Sequence, residues 1–224
     1  MTRDELEEYD FQLLKIEHYM KYPCMFPWIG KQYGEKYKKV LFVAESHYFP
    51  DKSTAQLDAE TWYKSNQHNL TIDELKYITT REVLSDHHLE NGIWREPEKI
   101  MNKSKILPPT ESENVYDWFC FCNFFQRPAQ KEGNELQINK LDIEKAYEVF
   151  VANLRILKPE IVIFLSSKAW NCCKRKGIDD IVFDFVPHPS CAWWNRKSLK
   201  YRIEDKIPLT GREKFEKLVS SFLS

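Results

Sequence analysis

The sequence predicts an α/β fold of three layers, α/β/α, around a central, mainly parallel sheet. Two observations predict it. Short runs of apolar, often β-branched residues recur at Lys39–Ala44, Glu160–Leu165 and Ile181–Val186. Each is too short for a helix and lacks the alternation of a strand with one wet face, as befits strands covered on both sides. In addition, the second half reads helix, strand, helix, strand, helix, the order that right-handed crossovers impose on a parallel sheet.

From the N-terminus, Thr2-x-x-Glu5 forms a capping box ahead of Leu6, Tyr9, Leu13, Ile16 and Met20 at helical spacing. That predicts a helix over about residues 3–22, ended by Pro23 and Pro27. The first buried strand follows at Lys39–Ala44. The polar stretch from Phe49 to Pro109 predicts one or two helices, with Thr71-x-x-Glu74 as a start and Gly92 as a stop. In Trp118–Phe125 the residues Phe119, Phe121 and Asn123 fall on one face and Cys120, Cys122 and Phe124 on the other, which is strand-like.

Ala129–Asn139 reads as a loop. Asp142–Leu157 carries Ile143, Ala146, Tyr147, Phe150, Leu154 and Leu157 on one helical stripe, and Pro159 stops it. After the strand at Glu160–Leu165, Ser166–Lys176 reads as a helix closed by Gly177. Ile181–Val186 is a third apolar strand, and Thr210-x-x-Glu213 opens a last helix that turns Phe215, Leu218, Val219 and Phe222 inward. Neither a repeat nor a linker interrupts the chain, so residues 1–224 are expected to form one domain with the N-terminal helix packed on it.

Composition narrows the function classes. Hydrophobic residues at 42% and charged residues at 30% are globular usage and exclude wholesale disorder. No run approaches the roughly 20 apolar residues of a bilayer span, and the acidic start Met1-Thr2-Arg3-Asp4-Glu5 lacks the order of a signal peptide. A cytoplasmic protein without a membrane partner is expected. The six cysteines then read as reduced thiols. Cys120-x-Cys122, Cys172-Cys173 and the isolated His87-His88 do not have zinc-site spacing, so no metal and no cofactor are expected. Net charge is −1, but Ser166–Arg202 holds eight Lys/Arg against three acids, a local excess of five. Such a run is either a solvated surface or a phosphate-facing patch.

Ligands of open parallel sheets bind beyond the carboxyl ends of the strands. Three predicted strand ends carry polar groups: Glu45-Ser46-His47-Tyr48, Asn123, and His188-Pro189-Ser190. A carboxylate, an amide and an imidazole directly after apolar runs either cap the next helix or perform chemistry. Trp193-Trp194 follows in a polar loop, and could equally cover the sheet edge or meet a ligand.

With Ala44-Glu45-Ser46-His47-Tyr48 after a strand, Asn123 on a middle strand, Lys158–Leu165 before a helix and His188-Pro189-Ser190 after a strand, the chain resembles the uracil-DNA glycosylase superfamily from about Val40 to Trp194. The resemblance implies that fold for the domain and DNA, single- or double-stranded, as the partner of a monomer. It implies that Glu45 and its neighbours lie over the sugar and position water, and that Asn123 reads the base edge. His188 would donate to the departing base, with Ser46, His47, Tyr48 and Ser190 lining the substrate site. Trp193 and Trp194 would wedge into the strand, flanked by Arg196 and Lys197 as DNA contacts.

The residue types suit that chemistry. Breaking an N-glycosidic bond builds positive charge on the sugar and negative charge on the base. A carboxylate can stabilise the first or activate water, and an imidazole donor the second. An amide matches the edge of a flipped base. Ser46 stands where the best-known branch has its catalytic Asp, His47 replaces Pro and Ala44 replaces Gly. A non-catalytic module that keeps the fold and binds a nucleobase or nucleic acid is therefore the alternative function. Gln126-Arg127-Pro128 occupies the place of a cysteine of the iron–sulfur branch, which predicts no cluster. A thiol hydrolase built on Cys191 beside His188 would lack a nearby orienting Asp or Asn.

Overall fold

The computed structural model describes residues 3–50, 52–55, 58–64, 70–86, 90–111, 113–129, 135–174, 178–202 and 207–222. The apolar runs form strands because no other local structure lets residues so short and so uniformly apolar leave water on both faces. Strand β1 is Trp28–Ile29, β2 Val40–Ala44, β3 Cys120–Asn123, β4 Ile161–Phe164 and β5 Val182–Phe185. They make one sheet in the order β1-β3-β2-β4-β5, with β1 antiparallel to β3 and all other pairs parallel. Every residue of the central β2 is buried, whereas Val182 at the start of the outer β5 is 64% exposed.

Register brings the strand ends together. Ala44 pairs with Asn123, Val43 with both Cys122 and Phe164, and Phe164 with Phe185. The ladder continues one step further, from the amides of Phe125, Leu165 and Val186 to the carbonyls of Glu45, Val43 and Phe164 at 2.8 Å each. Residues 45, 123 and 188 thus leave the sheet along one edge.

Helices cover both faces. Leu41, Val43, Cys120, Cys122, Phe124, Val162 and Phe164 pack with residues of α1 (Arg3–Leu13), α2 (Glu17–Lys21), α3 (Ala59–Lys64), α7 (Lys140–Leu157) and α8 (Ser167–Cys172). Val40, Phe42, Ala44, Phe119, Phe121, Ile161 and Ile163 pack with α6 (Gly92–Lys103) and α9 (Gly211–Val219). The alternation expected for β3 holds, with Cys120 and Cys122 on one side and Phe119 and Phe121 on the other.

Several boundaries differ from expectation. The N-terminal helix is two helices, because Lys15 and Ile16 amides bond back only three residues and Ile16 turns extended as the cap of α2. Pro23 opens a 3₁₀ turn at Pro23–Met25; Thr2 lies outside the described residues. Helix α7 begins at Lys140, two residues early, because Asn139 and Asp142 cap each other reciprocally. Helix α8 ends at Cys172, and Gly177 lies outside the described residues. Strand β3 is shorter than the alternating run, since Val115–Trp118 winds into a 3₁₀ turn.

The region from Phe49 to Pro109 holds four described helices rather than one or two. These are α3, α4 (Ile72–Ile78), α5 (Thr80–Asp86) and α6. Thr71 caps α4 as expected and Thr210 caps α9. Gly92 starts a helix instead of stopping one: Asn91 is its extended N-cap, and the glycine lies against the Ser190 side chain. A Cβ on Gly92 would meet Ser190 Oγ at 2.4 Å. Among the described residues no helix is long and apolar enough to cross a membrane, and no group of three His, Cys, Asp or Glu could hold a metal. All six cysteines are free thiols, and His87-His88 lies outside the described residues.

Candidate functional site

Beyond the edge where β2, β3 and β5 end lies a cavity of about 730 Å³, bordered by Glu45, Ser46, Tyr48, Asn123, His188 and Ser190. Residues remote in sequence meet there because parallel strands release their carboxyl ends side by side. The opposite wall comes from Lys76 and Tyr77 of α4, Val83 of α5, and Glu90, Asn91, Ile93 and Trp94 at the start of α6. The floor includes Phe121, whose ring meets Trp94 at 5.5 Å between centroids. A nucleobase-sized planar group fits such a volume, with flat apolar walls and a few convergent polar groups.

Glu45 is held from two sides. Its Oε2 accepts a hydrogen bond from Ser166 Oγ at 2.8 Å, and Oε1 lies 3.5 Å from Lys168 Nζ. Ser166 in turn accepts from the Lys168 and Ala169 amides at 3.2 Å each, as the N-cap of α8. Lys168 also donates to the Leu136 carbonyl at 2.5 Å and lies 3.6 Å from Glu135. The carboxylate is therefore held in place by groups on the β4–α8 junction. Sequence reasoning missed Ser166 and Lys168 as partners; the only signal was that their junction ends beside β2.

The imidazole of His188 borders the cavity. Its Nδ1 accepts the Ser190 amide hydrogen at 3.1 Å, which leaves the proton of the neutral ring on Nε2. Burial pushes its pKa down to about 4, so the ring is neutral at pH 7. Asn123 borders the cavity and its side-chain amide makes no hydrogen bond among the described residues, leaving donor and acceptor available. Ser46 is 8% exposed, and its hydroxyl likewise has no partner among the described residues. Tyr48 lines the cavity while its backbone bridges to Ala129.

Two expected contacts are displaced. His47 faces away from the cavity, with Nε2 3.0 Å from Thr80 Oγ1, because successive residues of the extended chain after β2 point to opposite sides. Trp194 is 1% exposed and packs against Phe215 at 6.0 Å and beside Gly211, so it is a core residue and not a wedge. Trp193 is 50% exposed in the turn after His188. Arg196 and Lys197 are exposed and make no ion pair among the described residues. The basic run is less available than its count, since Lys168 is paired with Glu45 and Glu135. Lys200 sits 5.7 Å from the Phe185 ring centroid, and Arg175 and Lys176 lie outside the described residues.

Three histidines couple the stability of the fold to pH. Burial, reinforced by the charges of His47, Lys21 and Lys145, lowers His18 to about 3; burial lowers His47 and His188 to about 4 each. All three folded values lie below the ordinary 6.5. The unfolded chain thus takes up these protons first as pH falls. Their contribution to stability is complete above about pH 6.5 and is lost toward pH 4, by up to about 1.4 kcal/mol per pH unit for each ring. Glu98 and Asp117, whose carboxyls burial pushes upward, act with the opposite sign. The expected result is a denaturant midpoint lower at about pH 5 than at about pH 7.5, with the gap narrowed in His188→Gln. An unchanged gap in that variant removes His188 from the linkage.

No known protein-family model matches the chain, and no curated protein matches its sequence.

Proposed function

We propose that the cleft is the base-binding site of a divergent uracil-DNA glycosylase-like protein that hydrolyses the N-glycosidic bond of a deaminated or damaged base in DNA. The observation that carries this reading is the meeting of Glu45, Asn123 and His188 around one cavity of about 730 Å³. In this reading the Asn123 amide pairs with the base edge while Phe121 and Trp94 supply flat apolar walls. As the C1′–N bond breaks, its electron pair leaves with the base, and the neutral His188 donates a hydrogen bond from Nε2 to that developing anion. Glu45 faces the positive sugar, and water oxygen bonds to C1′ as the carboxylate takes the water proton. Trp193, Arg196 and Lys197, exposed beyond His188, supply an aromatic and cationic rim for a strand.

A second reading, binding without cleavage, is favoured by one observation. The only carboxylate from the first strand end, Glu45, is already engaged by Ser166 and Lys168, while Ser46 brings a hydroxyl and no charge. Incubating the folded protein with single- and double-stranded oligonucleotides containing uracil, hypoxanthine or xanthine separates the two. Abasic product supports hydrolysis. Saturable binding with no abasic product at enzyme excess leaves the binding module. Absence of both removes the nucleobase reading.

A further inference from the structure

We propose that the first turn of α6 is a phosphate subsite of this cleft, taking the phosphate of the nucleotide whose base lies against Asn123 and His188. The inference rests on the nucleobase reading above and adds to it a ligand class and a location. Helix α6 runs twelve residues and its N-cap, Asn91, makes no side-chain capping bond. The Trp94 and Arg95 amides close the turn on the Asn91 carbonyl at 3.1 and 3.0 Å, whereas the Gly92 and Ile93 amides donate to no described group. Asn91 and Ile93 both border the cavity, so the positive end of the helix opens onto it. Backbone donors and the aligned peptide dipoles favour an anion at that position.

A second observation points independently to a ligand. Ser46 is 8% exposed, borders the same cavity, and its hydroxyl has no partner among the described residues. That hydroxyl has no protein partner to compete for it, and an oxyanion in the cavity would accept from it. Lys76 adds a cation on the same wall. Ser190 Oγ lies against Gly92, which sets the His188 turn beside the mouth of the helix. The base donor and the helix end therefore flank one cavity. Glu90 also borders it, one residue before the cap, and its charge opposes the anion. A phosphate with one or two charges, from a free nucleotide or from a strand, suits this balance better than a polyphosphate.

The test measures binding of four probes to the full chain by calorimetry. The probes are inorganic phosphate, 2′-deoxyuridine, its 5′-monophosphate, and deoxyuridine flanked by two thymidines. The monophosphate is expected to bind about three- to thirtyfold more tightly than the nucleoside, in a salt-dependent way. Asn91→Asp keeps a good helix cap, so its thermal midpoint serves as a folding control, and it sets a carboxylate at the subsite. That variant is expected to lose the advantage of the monophosphate, Ser46→Ala to reduce it, and Glu90→Gln to increase it.

A gain seen only with the flanked deoxyuridine assigns the subsite to a strand phosphodiester and supports the inference. Phosphate and monophosphate binding that is sensitive to Asn91→Asp, without nucleoside binding, supports the subsite but sinks the base reading. Equal affinity for nucleoside, monophosphate and flanked deoxyuridine, or undiminished monophosphate binding in Asn91→Asp, overturns the subsite and leaves the base reading intact. No binding of any probe overturns both.

Discussion

Replacing Glu45 by Gln is expected to slow base release by about 10²- to 10⁴-fold, the range for a positioned general base or charge stabiliser. Gln keeps the shape of the side chain and can still accept from Ser166 Oγ, now at 2.8 Å from the carboxylate. It loses the negative charge that the proposed mechanism sets against the sugar, and the attraction of Lys168. The effect should fall on the single-turnover rate and hardly on affinity, because the charge matters most as the bond breaks. His188→Gln is expected to cost about 10²- to 10³-fold by removing the Nε2 donor aimed at the leaving base. If Glu45→Gln releases base at the parental rate, Glu45 has no part in the chemistry. Where the parent itself only binds, Glu45→Gln should leave base affinity within a few fold, and Asn123→Ala should be the damaging change.

The largest loss of stability is expected from Asp142→Ala. Asp142 is fully buried and Arg127 is 3% exposed. The guanidinium meets the carboxylate through Nε to Oδ1 at 2.8 Å and Nη2 to Oδ2 at 2.6 Å. Tyr63 and the Asn139 amide donate to the same carboxylate at 3.2 and 2.9 Å. The truncation strands a buried cation without its counter-charge, although the Gln137 carbonyl still accepts from it at 2.8 Å, and removes the reciprocal cap of α7. A cost of about 3–5 kcal/mol follows for breaking one side of a buried pair, with about 1 kcal/mol for the cap included in that range. Urea denaturation at pH 7 reads it directly. Replacing both residues by apolar ones of similar volume should cost less than the single change, because no charge is then left alone. A single-variant loss below about 1 kcal/mol would mean that water or a shifted side chain rescues Arg127.

Much of the sheet was legible in the sequence because its strands are buried on both faces and contain almost nothing but apolar residues. Val40–Ala44 and Ile161–Phe164 match the expected runs within a residue. The site residues at 45, 123 and 188 were legible for the same reason, since polar groups directly after such runs mark strand ends. The wall opposite them was not. Helices α3 to α5 are only six or seven residues long, too short to show a periodicity, and α6 has Pro97 inside it, which reads as a helix breaker. Gly92 reads as a stop only if glycine is taken for its backbone freedom; its neighbour in the fold, Ser190, is a tertiary contact that the local sequence does not show. His47 and Trp194 failed as site residues because neighbours in sequence need not share a side: Ser46 and His47 diverge, as do Trp193 and Trp194. Strand β1 has only two residues and borrows its conformation from β3.

The pairing of Ala44 with Asn123 has a consequence for how the cleft tolerates change. Consecutive strand residues point to opposite sides, so a slip of β3 by one position would swing the Asn123 amide under α7 and present an apolar or sulfur-bearing neighbour in its place. β3 is clasped by β1 on its outer flank and by β2 on its inner one, and β2 is clasped again by β4. Insertions and deletions should therefore be accepted in the connecting turns but rejected within Cys120–Asn123, where a single codon gained or lost would turn Asn123 out of the cavity and exchange the two buried faces of the strand.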